Sequence, residues 1–127
     1  MSIVDDLRKI VDADRVSNNP AALESVSIDE SSLPPVQPEA LVQTLTADEI
    51  QSVVRYCYEH ALPVTVRGAG SDLEGSAIPI KGGIVLDVSR MDKIIQLWPE
   101  DLQVKLEPGV VYDKLNDYLK RESLFFP

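Results

Sequence analysis

A chain of 127 residues, 44% hydrophobic and 26% charged, has room for one core but not two. Its 21 acidic and 12 basic side chains leave a formal net charge of −9, which makes it a poor candidate for sequence-independent nucleic-acid binding and disfavours anionic membranes, since both need cations against phosphate. A single cysteine, Cys57, excludes an internal disulfide and a cysteine-based zinc site.

The acidity is uneven: residues 1–63 hold 11 Asp/Glu and 4 Lys/Arg, and residues 64–127 hold 10 and 8. No stretch approaches the ~20 apolar residues of a membrane span. The N-terminus lacks the basic start and apolar run of a signal peptide, so the expected compartment is the cytoplasm.

Residues 2–13 carry Ile3, Leu7 and Ile10 on one helical face, with Ser2 and Asp5 in capping-box spacing. Residues 14–40 read as a long connector. It has a turn at Asn18-Asn19-Pro20, one helical turn over Ala21 to Ser25, and an extended run with prolines at 34, 35 and 38. A connector of this length is expected to wrap a surface rather than join a core. The domain division expected from this is 1–40, helix and connector, and 41–127, the body of the fold.

Ala40 to Thr44 reads as a strand. The clearest helix follows, over 47–60, with Thr46 as cap and Glu49 completing the box. Its apolar stripe is Ile50, Val53, Val54, Cys57 and Ala61, and Pro63 stops it. Val64 to Val66 is a second strand. Strand, helix and strand make a βαβ unit with parallel strands. Ile84 to Val88, apolar almost throughout, reads as a third strand covered on both faces. Lys93 to Trp98 and Leu102 to Glu107 read as a hairpin, the second strand alternating Leu102, Val104 and Leu106 with polar residues. Pro108-Gly109 then turns into a helix with Val111, Leu115, Tyr118 and Leu119 on one face. The fold class expected is α+β with α/β character: a small three-stranded parallel sheet with helices, then the start of an antiparallel sheet. The apolar end, Leu124-Phe125-Phe126-Pro127, reads either as a docked terminus or as a truncation.

Between the second and third strands lies Arg67-Gly68-Ala69-Gly70-Ser71-Asp72-Leu73-Glu74-Gly75. Glycines at 68, 70 and 75 let a backbone approach a phosphate closely, and successive N–H groups can converge on an anion. Alone, this pattern is equally compatible with a plain turn. No Gly-Lys-Ser/Thr follows, so it is not a nucleotide P-loop. His60 sits where a helix C-terminus suits an imidazole, Cys57 lies on the apolar helix face, and Trp98 belongs to packing near a turn. No metal site and no catalytic residue is expected.

Taken with its flanks, the loop resembles a known family. Residues 63–79 with Gly82-Gly83-Ile84-Val85-Leu86-Asp87-Val88-Ser89-Arg90-Met91 are similar to the N-terminal flavin-binding segment of the vanillyl-alcohol oxidase / p-cresol methylhydroxylase (PCMH) superfamily, in its branch of D-lactate dehydrogenases and flavin-binding glycolate oxidase subunits. Asp29 to Pro35, Thr46 to Ile50 and Leu106-Glu107-Pro108-Gly109-Val110 agree, so the resemblance covers about residues 28–127. It implies FAD as cofactor, its pyrophosphate held by Gly68, Ala69, Gly70, Ser71, Asp72 and Gly75, with Arg67 alongside. Ser71 stands where covalently flavinylated relatives carry His, so non-covalent FAD is implied. Asp72 and Glu74 depart from a loop meant for a dianion. Family members carry a second flavin-binding stretch after the position of Pro127, and then a substrate domain. The implied function is therefore the FAD-binding portion of an oxidoreductase acting on a 2-hydroxy acid such as glycolate or D-lactate, not catalytically complete alone. The alternative is a stand-alone remnant or interaction module that folds without flavin. An unfinished antiparallel sheet leads to the expectation of a homo-oligomer or a complementing polypeptide.

Overall fold

The computed structural model describes residues 2–127. Its first helix, α1 (Ile3–Leu7), carries the expected capping box, with Ser2 Oγ accepting from the Asp5 N–H and the Asp5 carboxylate accepting from the Ser2 N–H. The helix is shorter than its apolar pattern suggested and gives way to turns after Leu7, but Val11 still reaches the core.

The connector is more structured than its composition suggested. Val16–Ser17 forms a two-residue strand, β1, and Pro20–Ser25 forms helix α2, capped by Asn19. It does not merely wrap a surface: Val16, Leu23 and Val26 are buried.

Strand β2 (Ala40–Gln43), helix α3 (Ala47–Glu59), strand β3 (Val64–Arg67) and strand β4 (Ile84–Asp87) build the centre. The sheet order is β1-β2-β4-β3. β4 lies parallel to both β2 and β3, with Gln43 and Arg67 each opposite Asp87. The three parallel strands are those expected; β1 adds an antiparallel fourth at the edge. β4 is buried along its whole length because both faces are covered. One cluster joins Val4, Leu7, Val11 and Val16 to Val42, Val53, Cys57, Ile84 and Leu86, and a second joins Leu23 and Val26 to Leu41 and Val85. Successive side chains of a strand point to opposite faces, which is why Leu41 and Val85 fall in one cluster and Val42 and Leu86 in the other.

Within α3 the apolar stripe is narrower than its spacing indicated. Val53 and Cys57 are buried, whereas Val54 is exposed and Ala61 lies beyond the helix in a left-handed conformation. The Leu62 N–H donates to the Cys57 carbonyl and the Ala61 N–H to that of Tyr58, a Schellman closure with Ala where glycine is preferred.

Strands β5 (Ile94–Trp98) and β6 (Gln103–Leu106) form the antiparallel hairpin, with an irregularity between Ile94 and Gln96. Leu102 leaves the alternation read for it. It sits in the turn with φ 54° and an exposed side chain. Helix α4 (Tyr112–Leu119) buries Leu115 and Leu119. The apolar end docks beside it: Asn116 Nδ2 donates to the Phe126 carbonyl at 3.0 Å, and its Oδ1 accepts from the Phe126 N–H at 2.7 Å.

Candidate functional site

The glycine loop leaves the carboxyl end of β3, where crevices between parallel strands ordinarily receive ligands. Asp87 organises this end of the sheet. Its side chain accepts from Gln43 Nε2 at 3.2 Å and from the Ser89 N–H at 2.8 Å, while the Val88 N–H donates to the Arg67 carbonyl. The neighbouring strands and the turn after β4 are thereby tied together at the level where the loop begins.

Within the loop, Gly70 and Gly75 have φ of 71° and 83°, which L side chains rarely adopt. A methyl group at Gly70 would also overlap the Arg67 guanidinium. Residues 71–74 are exposed, whereas Ala77, Ile78 and Pro79 are buried, so the loop is anchored at its far end. The acidic departure is accommodated by geometry. The Asp72 carboxylate accepts from Ser76 Oγ at 2.6 Å, and its carbonyl accepts from the Glu30 N–H.

Opposite the loop lies the turn from Pro108 to Asp113. Gly109 is required there because a Cβ would overlap the Val88 carbonyl, and its N–H donates to the Met91 carbonyl. Between loop and turn is an open cleft of about 350 Å³, lined by Ala69, Ser71, Pro108, Gly109, Val110, Val111, Tyr112 and Asp113. Two sets of donors border it. Among the described residues, the N–H groups of Ala69, Gly70 and Ser71 and the Ser71 hydroxyl make no hydrogen bond. Across the cleft, α4 starts at Tyr112 with Val111 at the N-cap position and no side-chain cap, leaving its first amides and the positive end of its dipole at the same opening. Unpaired amides, a short hydroxyl and an uncapped helix start are the donor set that a pyrophosphate takes. Asp113 is the one acid on the wall.

Of the residues singled out from sequence, Ala69 and Ser71 line the cleft, with Gly70 between them. Gly68 faces the Pro108 carbonyl: a Cβ there would lie 4.0 Å from that oxygen. Asp72 and Gly75 lie further along the loop. The Arg67 guanidinium is turned toward the Ile28 carbonyl, to which it donates at 2.6 Å. The opposite wall was missed. Its signal was the Pro108-Gly109-Val110 run, legible as a turn but not as a partner of a loop about forty residues away in sequence.

The other candidates lie elsewhere. His60 ends α3 exposed, its Nδ1 2.8 Å from the Tyr56 carbonyl and its ring stacked on Tyr56. Cys57 is buried, which pushes its thiol up from the ordinary value. Among the described residues no group of three or more His, Cys, Asp or Glu side chains is placed to hold a metal, and no helix is long and apolar enough to cross a membrane.

Comparison with known proteins agrees with this geometry. The family model of the FAD binding domain matches residues 38–127. A probable mitochondrial D-lactate dehydrogenase of Danio rerio is 30% identical over 125 residues, covering 98% of this chain and 25% of the relative. The glycolate oxidase subunit GlcD of Bacillus subtilis is 32% identical over 90 residues, covering 71% and 19%. The crystal structure of p-cresol methylhydroxylase with substrate bound superposes with a TM-score of 0.83 at 30% identity, covering 95% of this chain and 24% of that one. The chain thus spans about a fifth to a quarter of the length of such relatives. With a matching family model over most of its length and a glycine loop facing an uncapped helix start, the chain belongs to the FAD-binding domains of FAD-linked oxidoreductases, PCMH type.

Proposed function

We propose that this chain is the flavin-binding portion of an FAD-linked oxidoreductase acting on a 2-hydroxy acid of the glycolate or D-lactate type. The observation that carries this reading is that Ala69 and Ser71, whose amides make no hydrogen bond, and the uncapped start of α4 line one cleft. The residues fit the group: Gly68 to Ser71 and the 108–113 turn would hold the pyrophosphate, with Asp72 and Gly75 shaping the loop beyond it. Ser71 offers a hydroxyl and no nucleophilic ring, so the flavin is held without a covalent bond at this loop. The chemistry FAD supplies when bound is acceptance of a hydride equivalent from the substrate. This chain's part is to bind and orient, and groups that handle the substrate's protons lie outside it. The choice of a 2-hydroxy acid is supported by the D-lactate dehydrogenase and glycolate oxidase relatives.

The test is a titration of FAD with purified protein, read by flavin fluorescence and visible absorbance. Saturable quenching and a bound-flavin band are expected; unquenched fluorescence at high protein concentration would refute binding by this chain.

A second reading has its own observation. Leu102, Phe125 and Phe126 are exposed beside a small apolar recess lined also by Leu97, Val104 and Leu119. A module that associates through this face, as a homo-oligomer or with a complementing polypeptide, needs no flavin. Light scattering on colourless protein separates the two: a flavin-free oligomer favours association, and a flavin-binding monomer favours the first reading.

A further inference from the structure

The segment 28–33 lies between α2 and β2, yet its contacts go to the glycine loop. The Ile28 carbonyl accepts from Arg67 Nη1 at 2.6 Å. The Glu30 N–H donates to the Asp72 carbonyl at 3.0 Å. The Leu33 side chain occupies the space where a Cβ on Gly75 would go, and Ser31 Oγ lies 3.7 Å from that position. Asp29 sits at the centre. Its Oδ1 accepts from the Ser31 N–H at 2.9 Å, closing a local turn. Its Oδ2 is buried without a hydrogen bond of full geometry. The Ser31 hydroxyl first, and then the amides of Ser31, Ala77 and Gly75, hold this carboxyl below the ordinary carboxylate range against the effect of burial. The carboxylate thus lies where the exposed half of the loop meets its buried half. At the loop's other end the Arg67 guanidinium lies against Gly70, filling the space a side chain would need.

We propose that Asp29 and Arg67 are positioning residues for the cofactor loop: they pin the 28–33 segment across it and fix the left-handed turns at Gly70 and Gly75, keeping the amides of Ala69–Ser71 unpaired at the cleft. Neither side chain lines that cleft. Arg67 acts on the cofactor through Gly70 rather than as a cation on phosphate. A loop ordered before binding does not lose conformational freedom on binding, so pinning raises affinity without adding a contact. This inference rests on the flavin reading for its ligand but not for its pinning contacts.

Amide hydrogen exchange on the ligand-free protein tests the pinning directly. Asp29→Ala and Arg67→Lys are expected to speed exchange at the hydrogen-bonded amides that tie the segment and the loop together, that of Glu30 on the Asp72 carbonyl and that of Ile78 on the Gly75 carbonyl, about tenfold or more while leaving β4 at the wild-type rate, as expected of a local opening. The informative variant is Asp29→Asn. It retains an acceptor for the Ser31 N–H but removes the negative charge that the Ser31, Ala77 and Gly75 amides favour, so it should loosen the loop as Asp29→Ala does. In parallel, FAD affinity should fall about tenfold or more in all three, the scale of one lost charge-assisted hydrogen bond, with the urea midpoint of global unfolding nearly unchanged. Wild-type loop exchange in Asp29→Asn would reduce Asp29 to a local turn former and overturn the proposal for it. Wild-type loop exchange in Arg67→Lys would do the same for Arg67. Failure of the wild-type chain to take up FAD would refute the flavin reading, and the exchange rates would still decide the pinning.

Discussion

At the scale of single residues, the site is shaped by where a Cβ is forbidden and where a donor is left free. Gly109 has an ordinary φ but no room: a methyl group there meets the carbonyls of Val88, Ser89 and Met91. Gly82 is the reverse, with φ of 71° and open space. Gly82→Ala should therefore cost only the backbone strain, about 1 kcal/mol. Gly109→Ala should cost about 1–3 kcal/mol and also weaken FAD binding by displacing the cleft wall; urea unfolding and flavin titration of the two variants check this contrast. Ser71→Glu should abolish flavin quenching while leaving the unfolding midpoint within about 0.5 kcal/mol of wild type, because the side chain is exposed. Ala61 holds the left-handed C′ position of α3 at φ 53°. Ala61→Gly should stabilise the fold by about 0.5–1 kcal/mol, visible as a raised thermal midpoint. The glycines of the loop were legible from sequence because their chemistry is local. Arg67's true neighbour was not, since Ile28 lies 39 residues away and offers only a carbonyl, which every residue has.

At the scale of elements, the legible ones carry their own start and stop signals. Helix α3 is announced by Thr46, whose Oγ1 accepts from the Glu49 N–H at 3.2 Å. Glu49 itself does more than its spacing indicated. It accepts from the Leu45 N–H at 2.8 Å and from Arg15 Nη1 and Nη2 at 2.7 Å each. Arg15 is 6% exposed and also donates to the Gln43 carbonyl, so this pair joins the N-terminal segment, β2 and α3. The Arg15 guanidinium, aided by the Leu45 and Thr46 amides, holds the Glu49 carboxyl below its ordinary 4.5 despite partial burial. Because the folded value is depressed, the pair's stabilisation is complete above about pH 4.5 and is lost as pH falls through the folded value. Glu49→Gln should cost about 2–3 kcal/mol at pH 7, toward the lower end for a pair partly open to solvent, and should flatten the acid limb of stability; urea midpoints at pH 7 and pH 3.5 measure both. Strand β1 was not legible. Two residues carry no period, and only the antiparallel pairing of Val16 with Val42 makes them a strand. Leu102 misled for a related reason: it continues the alternation of β6 by type, but its backbone belongs to the turn.

At the scale of the whole molecule, the central sheet is covered on both faces while the β5–β6 hairpin with α4 keeps apolar side chains in solvent. If this face associates, Leu102→Asp should shift a light-scattering mass toward the monomer without lowering the thermal midpoint of the dilute protein, since Leu102 buries little in the chain itself. The parallel centre was legible because an apolar run such as Ile84–Asp87 declares two-sided burial; which strand lies between which was not, because β4, the last of the three parallel strands in sequence, sits between β2 and β3. That order has a consequence for how such a site can change over time. β3 lies at the edge with a single neighbour, and the glycine loop hangs from its free end. The exposed part of such a loop, residues 71–74, can be rewritten without any strand losing its hydrogen-bonding partner, while the buried end at Ala77–Pro79 stays fixed. The frame inherited with the sheet therefore leaves the mouth of the cleft open to variation, and different chemistries can be fitted there at little cost to folding.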